Sequence, residues 1–157
     1  MYDTARDTLD ALRAGPEVLE GRLSGVTEEQ ARAARGGDEN WSVVEVVCHL
    51  RDAEERALER MRAMRDEQNP LLAAYDQDEW ARERRYAEAN LHEAFGAFSR
   101  FRAQFVAELE ALSASGWERP GQHAEAGQIT ILNHALHLAS HDAIHAAQIA
   151  RQLAAAR

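Results

Sequence analysis

Lysine is absent from this chain: all 18 basic residues are arginine. We read this as the imprint of a GC-rich, bacterial genome rather than as a set of selected guanidinium contacts. Cysteine is nearly absent too. Cys48 alone cannot close an internal disulfide, so a reducing cytoplasm is the expected compartment. A basic excess is also missing, since the formal net charge is −9, and this argues against a surface that neutralises nucleic-acid phosphates. No apolar run approaches the roughly 18 residues that read as a membrane span. The first ten residues carry Asp3, Asp7 and Asp10 and no apolar stretch, so neither a membrane helix nor a secretory leader is expected. Breakers are few, with three prolines and nine glycines in 157 residues.

What remains is dominated by Ala, Leu, Glu and Arg, all strong helix formers. The length suits one domain, residues 1–157, with a hydrophobic core of its own. Helical periodicity recurs in four blocks, and no alternating strand competes with it. The first block spans residues 3–24, with Leu9, Leu12, Leu19 and Leu23 on one face and Gly15-Pro16 as an expected kink or break. Ser42 and Glu45 form a capping-box pattern that opens a second helix over about 42–67, which Asn69-Pro70 closes. Residues 71–87 read, from Tyr75 and Trp80, as a packed connection with about one helical turn. A third helix over about 88–113 carries a stripe of Leu91, Phe95, Phe98, Phe101, Phe105, Leu109 and Leu112, read as core. Thr130 caps a fourth helix that runs to about 155. The expected fold is all-α: an antiparallel four-helix bundle with long connections.

Histidine is unevenly distributed. Four of the seven fall between His134 and His145, and His49 lies on the second helix. His137, His141 and His145 stand at successive four-residue steps, which places them on one helical face. Side chains four apart can chelate one ion, but two imidazoles bind weakly, and a third donor from another helix is needed. His49, beside the Val43, Val46, Leu50 stripe, is the candidate. His137 is either a spare ligand or an outer group, and His92 and His123 read as ordinary structural residues. His141-Asp-Ala-Ile-His145 has Asp where a zinc protease has its Glu base and no ligand follows it, so that chemistry is not expected. The absence of any Glu-x-x-His removes a di-iron carboxylate site. Cys48 points about 100° away from His49 on a helix, so it reads as buried and structural.

With these motifs in place, the chain resembles the DinB-like superfamily of damage-inducible, metal-binding four-helix bundles. The likeness rests on Trp41-Ser42 with His49-Leu50, and on His141-Asp-Ala-Ile-His145-Ala-Ala-Gln148-Ile149, in blocks of matching order and length. The resemblance implies that His49, His141 and His145 are the ligands of a divalent metal, and it gives His137 no role. Some members of that superfamily are bacillithiol transferases or mycothiol isomerases, and others are described as hydrolases.

Three neutral imidazoles leave an open coordination position, as in catalytic zinc sites. The expected activity is metal-dependent hydrolysis or thiol S-transfer, and the alternative is a non-catalytic, metal-binding stress-response bundle acting through dimerisation. All-nitrogen ligation suits Zn or Ni first, then Fe or Cu, with a low-molecular-weight thiol as a second cofactor. The expected partners are a small-molecule substrate or thiol and a second copy in a homodimer, with no nucleic acid and no membrane. Asp52 and Gln148, each three residues after a candidate ligand, are either partners that orient the imidazoles or solvated helix residues, and Asp76 and Asp78 are candidates for the mouth of the site. Protons should compete with the metal below about pH 6.5.

Overall fold

The computed structural model describes residues 4–157, so the expected helix start at Asp3 lies outside the described residues. Its helices are α1 (Thr4–Leu23), α2 (Glu28–Ala33), α3 (Val43–Asp66), α4 (Gln77–Glu83), α5 (Leu91–Glu110), α6 (Ala114–Trp117) and α7 (Ile131–Ala155). Three of the long ones, α3, α5 and α7, begin where the chain supplies a cap. The Ser42 hydroxyl accepts from the Glu45 amide at 3.2 Å, and the Glu45 carboxylate accepts from the Ser42 amide at 2.7 Å, which is the box read from the sequence. Thr130 caps α7 through the Asn133 amide at 3.2 Å. Asn90 caps α5 through the Glu93 amide at 3.0 Å, which is why that helix starts at Leu91 rather than near 88.

Two hydrophobic clusters stack along the bundle. Leu19, Leu23, Val43, Val47, Leu91, Phe98 and Ile149 fill one end, and Leu12, Met61, Met64, Phe105, Leu109, Ile131 and Leu138 the other. It follows that α1 and α7 run one way and α3 and α5 the other. Helix α3 packs on α5 and α7, and α1 packs on the same two from the opposite corner. The all-α bundle expected from periodicity is what forms, and the phenylalanine stripe of α5 is core.

Short strands also form, which the periodicity did not foresee. β1 (Arg35–Gly36) pairs antiparallel with β2 (Trp41–Ser42). β3 (Leu71–Leu72) lies parallel to β4 (Pro120–His123), which turns back antiparallel as β5 (Gly127–Thr130). Segments of two to four residues are too short to display alternation, and β3 finds its partner about fifty residues away, so nothing local announces it. The small sheet ties the connection after α3 to the hairpin that leads into α7.

Between the two apolar clusters lies a buried charged centre. Arg102 on α5 is 1% exposed, and all five of its guanidinium N–H groups are used. Nε and Nη2 donate to Glu54 of α3 at 2.7 and 2.8 Å, and Nη1 and Nη2 to Asp142 of α7 at 2.5 and 3.0 Å. Nη1 also reaches the Leu12 carbonyl of α1 at 2.9 Å. One side chain thus joins all four long helices. Proline 16 does not break α1, which runs through it as a single helix.

Candidate metal centre

The antiparallel packing of α3 on α7 brings the histidines together. His49 lies on the buried face of α3, and His141 and His145 are one turn apart on the facing side of α7. Nε2 of His141 is 3.0 Å from Nε2 of His49 and 3.1 Å from Nε2 of His145. One donor nitrogen from each of the three lies within 4.8 Å of the others. Two imidazole nitrogens on one tetrahedral ion, at bond lengths of ~2.0–2.1 Å, stand about 3.3 Å apart. The three rings are therefore spaced to hold one divalent ion.

Burial keeps these rings neutral, which is the state a ligand requires. It pushes His49 down to about 4, with the neighbouring His145 adding to the effect. It pushes His141 down to about 2, aided by His145 and His49, and lowers His145 as well. Proton competition in the folded protein accordingly sets in below the pH 6.5 expected from free imidazole.

Surrounding groups fix the rings. Nδ1 of His145 donates to Oε1 of Gln148 at 2.8 Å, which leaves the Nε2 lone pair facing the other two histidines. Gly37, at φ +75°, lets the loop after α2 approach that amide, because a Cβ there would sit 2.7 Å from Gln148 Nε2. Gln152 donates from Nε2 to the Ala34 and Trp41 carbonyls at 2.9 and 2.8 Å, and Trp41 stacks 5.2 Å from His49. Asp52 does not serve His49. Its carboxylate accepts instead from the Tyr86 hydroxyl at 2.6 Å, from Arg51 at 2.7 Å and from Arg84 at 3.1 Å.

Beside the histidines opens a cavity of about 780 Å³, whose wall includes His49, His141, His137, Arg60, Tyr75 and His123. His137 sits there 5.9 Å from His141, ring to ring, but outside the three-histidine group. His123, read from the sequence as an ordinary residue, belongs to this wall because β4 places it there. His134 is buried with Nε2 3.1 Å from the Ala57 carbonyl, and His92 is exposed. Asp76 also lines the cavity while capping α4 through the Asp78 and Glu79 amides at 2.9 and 3.0 Å; Asp78 lines a different hollow, near Trp41. Cys48 is wholly buried in the core, and burial raises its thiol to about 11.

The profile of the DinB superfamily matches residues 11–149. The chain belongs to that superfamily. A curated relative from Oceanobacillus iheyensis, provisionally named a metal-dependent hydrolase, is 28% identical over 117 residues, or 74% of this chain and 66% of the relative. A second, from Geobacillus thermodenitrificans and named the same way, is 29% identical over 80 residues, or 51% of this chain and 44% of the relative. The matched stretches thus span less than two thirds of either relative's length. Among solved structures, YfiT of Bacillus subtilis superposes with a TM-score of 0.83 at 21% identity, covering 98% of this chain and 90% of that one. YfiT is described as having an unusual four-helix bundle topology, and the likeness shows that this DinB member shares its fold. Among the described residues, no helix is long and apolar enough to cross a membrane.

Proposed function

We propose that His49, His141 and His145 bind one divalent metal ion and that the protein is a metal-dependent hydrolase acting on a small molecule. The observation that carries this reading is the spacing of the three Nε2 atoms, 3.0 and 3.1 Å, with His49 and His141 at the wall of a cavity of ligand size. When bound, a divalent ion with three imidazole ligands supplies Lewis-acid activation at its remaining coordination position. All-nitrogen ligation favours zinc or nickel, with iron or copper next. The chain's own work is to hold three neutral rings, to orient His145 through Gln148, and to line the approach with Tyr75, Asp76 and His137. The names of the two curated relatives support the hydrolytic reading. A closed bundle that only stores metal has no use for the adjoining cavity, which favours an enzyme over a non-catalytic protein.

S-transfer to or from a low-molecular-weight thiol is the second reading. Cys48 bears on it, because a buried thiol held at about 11 is not a nucleophile in this protein, so the sulfur would come from a cofactor.

Elemental analysis of untagged protein should give close to one divalent metal per chain, and His49→Ala and His141→Ala should lose it. Retention of the full metal content by both variants overturns the site. Metal-loaded protein screened against ester, amide and phosphoester panels tests hydrolysis. A thiolate-to-cobalt absorption band with bacillithiol, mycothiol or glutathione, together with an inert hydrolase panel, moves the reading to S-transfer.

A further inference from the structure

Helix α3 carries five arginines, and four of them pair with carboxylates: Arg51 with Asp52, Arg56 with Glu59, and Arg62 and Arg65 with Glu108. Arg60 is the exception. It forms no ion pair among the described residues, although the chain carries 27 acidic residues and a net charge of −9. Instead it lines the cavity beside the histidines, partly buried. One Nη donates to the Ala73 carbonyl at 2.5 Å, and the guanidinium lies 5.8 Å from the centre of the Tyr75 ring. Its Nε is cut off from solvent and has no hydrogen-bond partner among the described residues. A guanidinium partly withdrawn from water, with no carboxylate beside it, keeps N–H groups that an anion entering the cavity would complete.

The position of Arg60 indicates what that would be. His49 and Arg60 are eleven residues apart on α3, three full turns, so they share a face about 16 Å apart along the axis. On antiparallel α7 the sequence His141, His137, Asn133 retraces the same direction, and all three line the cavity. The cavity is therefore elongated, with His49 and His141 of the histidine group at one end and Arg60 at the other. Its two carboxylates do not occupy Arg60: Asp76 caps α4, and Glu125 stands exposed at the rim.

We propose that Arg60 binds the anionic end, a carboxylate or a phosphate, of an elongated substrate whose other end reaches the three-histidine group. This rests on the metal reading of that group, and it names the substrate class: molecules with a reactive terminus several bonds removed from a negative charge. Arginine suits the role because its planar fork matches either anion.

The test uses cobalt-loaded protein and a series of ω-mercaptocarboxylates, from mercaptoacetate to mercaptooctanoate, read by the thiolate-to-cobalt absorption band. The matching amides and ω-mercaptoalkylphosphonates form the other two arms. In parallel, the Arg60 Nε–H resonance of the metal-free protein is followed by NMR, assigned by its loss in Arg60→Gln. At the best chain length the carboxylate or the phosphonate should bind on the order of tenfold more tightly than the amide. Whichever arm is tighter identifies the anion. Arg60→Gln should abolish the preference at unchanged cobalt content, and Arg60→Lys should keep part of it. Equal affinity for acid and amide, or a preference that survives in Arg60→Gln, overturns the proposal while leaving the metal reading intact. If the protein retains no cobalt, so that no thiol produces a band, but the Arg60 resonance still shifts with octanoate and not with octanamide, the metal reading fails and the anion-binding role of Arg60 stands. A cobalt-loaded protein that gives no band and no such shift overturns the proposal and leaves the metal reading intact.

Discussion

The carbonyl oxygen of Leu12 accepts a hydrogen bond from Nη1 of Arg102 at 2.9 Å, and the reason lies four residues along the same helix. In an uninterrupted helix that carbonyl would be taken by the amide of residue 16. Residue 16 is proline, which has no N–H, so the acceptor is free. The defect that predicts a break in α1 thus becomes an attachment point for the charged centre of the bundle.

Removing Arg102 should be severely destabilising. Arg102→Met strands two buried carboxylates, Glu54 and Asp142, together with the Leu12 carbonyl, and should cost roughly 3–5 kcal/mol. Urea denaturation of the variant measures this. Adding Glu54→Gln and Asp142→Asn to Arg102→Met should recover part of the loss, because the stranded charges are gone.

Gly15→Ala should destabilise although alanine is the better helix former. Alanine is worth ~1 kcal/mol over glycine in a helix interior. Here its Cβ would stand 2.1 Å from Asp142 Oδ2 and 2.9 Å from an Arg102 nitrogen, neither of which is free to move. A net loss of about 1–3 kcal/mol is expected in thermal unfolding.

Gln148→Leu should weaken metal binding without removing a ligand. It deletes the acceptor that holds His145 with Nε2 towards the site. Loss of such an orienting partner typically costs ~10–100-fold in affinity. Competition against a chromophoric chelator would register it, whereas Asp52→Asn, whose carboxylate serves Tyr86 and two arginines, should leave metal affinity nearly unchanged.

Metal-free protein should lose stability as the pH falls from about 6.5 towards 4. His49 and His134, both buried, are held down to about 4, while in the unfolded chain each takes up a proton near the ordinary histidine value. Within that window the unfolded state binds more protons than the folded one, so stability rises with pH and falls on acidification. Each such histidine contributes a slope above ~1 kcal/mol per pH unit. Urea midpoints of chelator-treated protein at several pH values check this, and a flat profile between pH 6.5 and 4 would refute it.

Local patterning set the four long helices and, for α3 and α7, where they start, while the short α2, α4 and α6 and the start of α5 at Leu91 were not read from it. Caps and apolar periodicity act over three or four residues, so Ser42 with Glu45, Thr130, and the inward faces of α3, α5 and α7 were legible. The four-residue spacing of His141 and His145 is local in the same sense, and so is the reach of Gln148 to His145. What acts across helices had no such signature. The meeting of Arg102 with Glu54, Asp142 and Leu12, the turning of Asp52 towards Tyr86, and the placing of His123 and Arg60 in one cavity all depend on which helix lies beside which, and on a parallel strand pair joining residues about fifty apart. Only the packed bundle decides those neighbours, because a side chain's partner there is chosen by burial and by unmet hydrogen bonds rather than by its place in the chain.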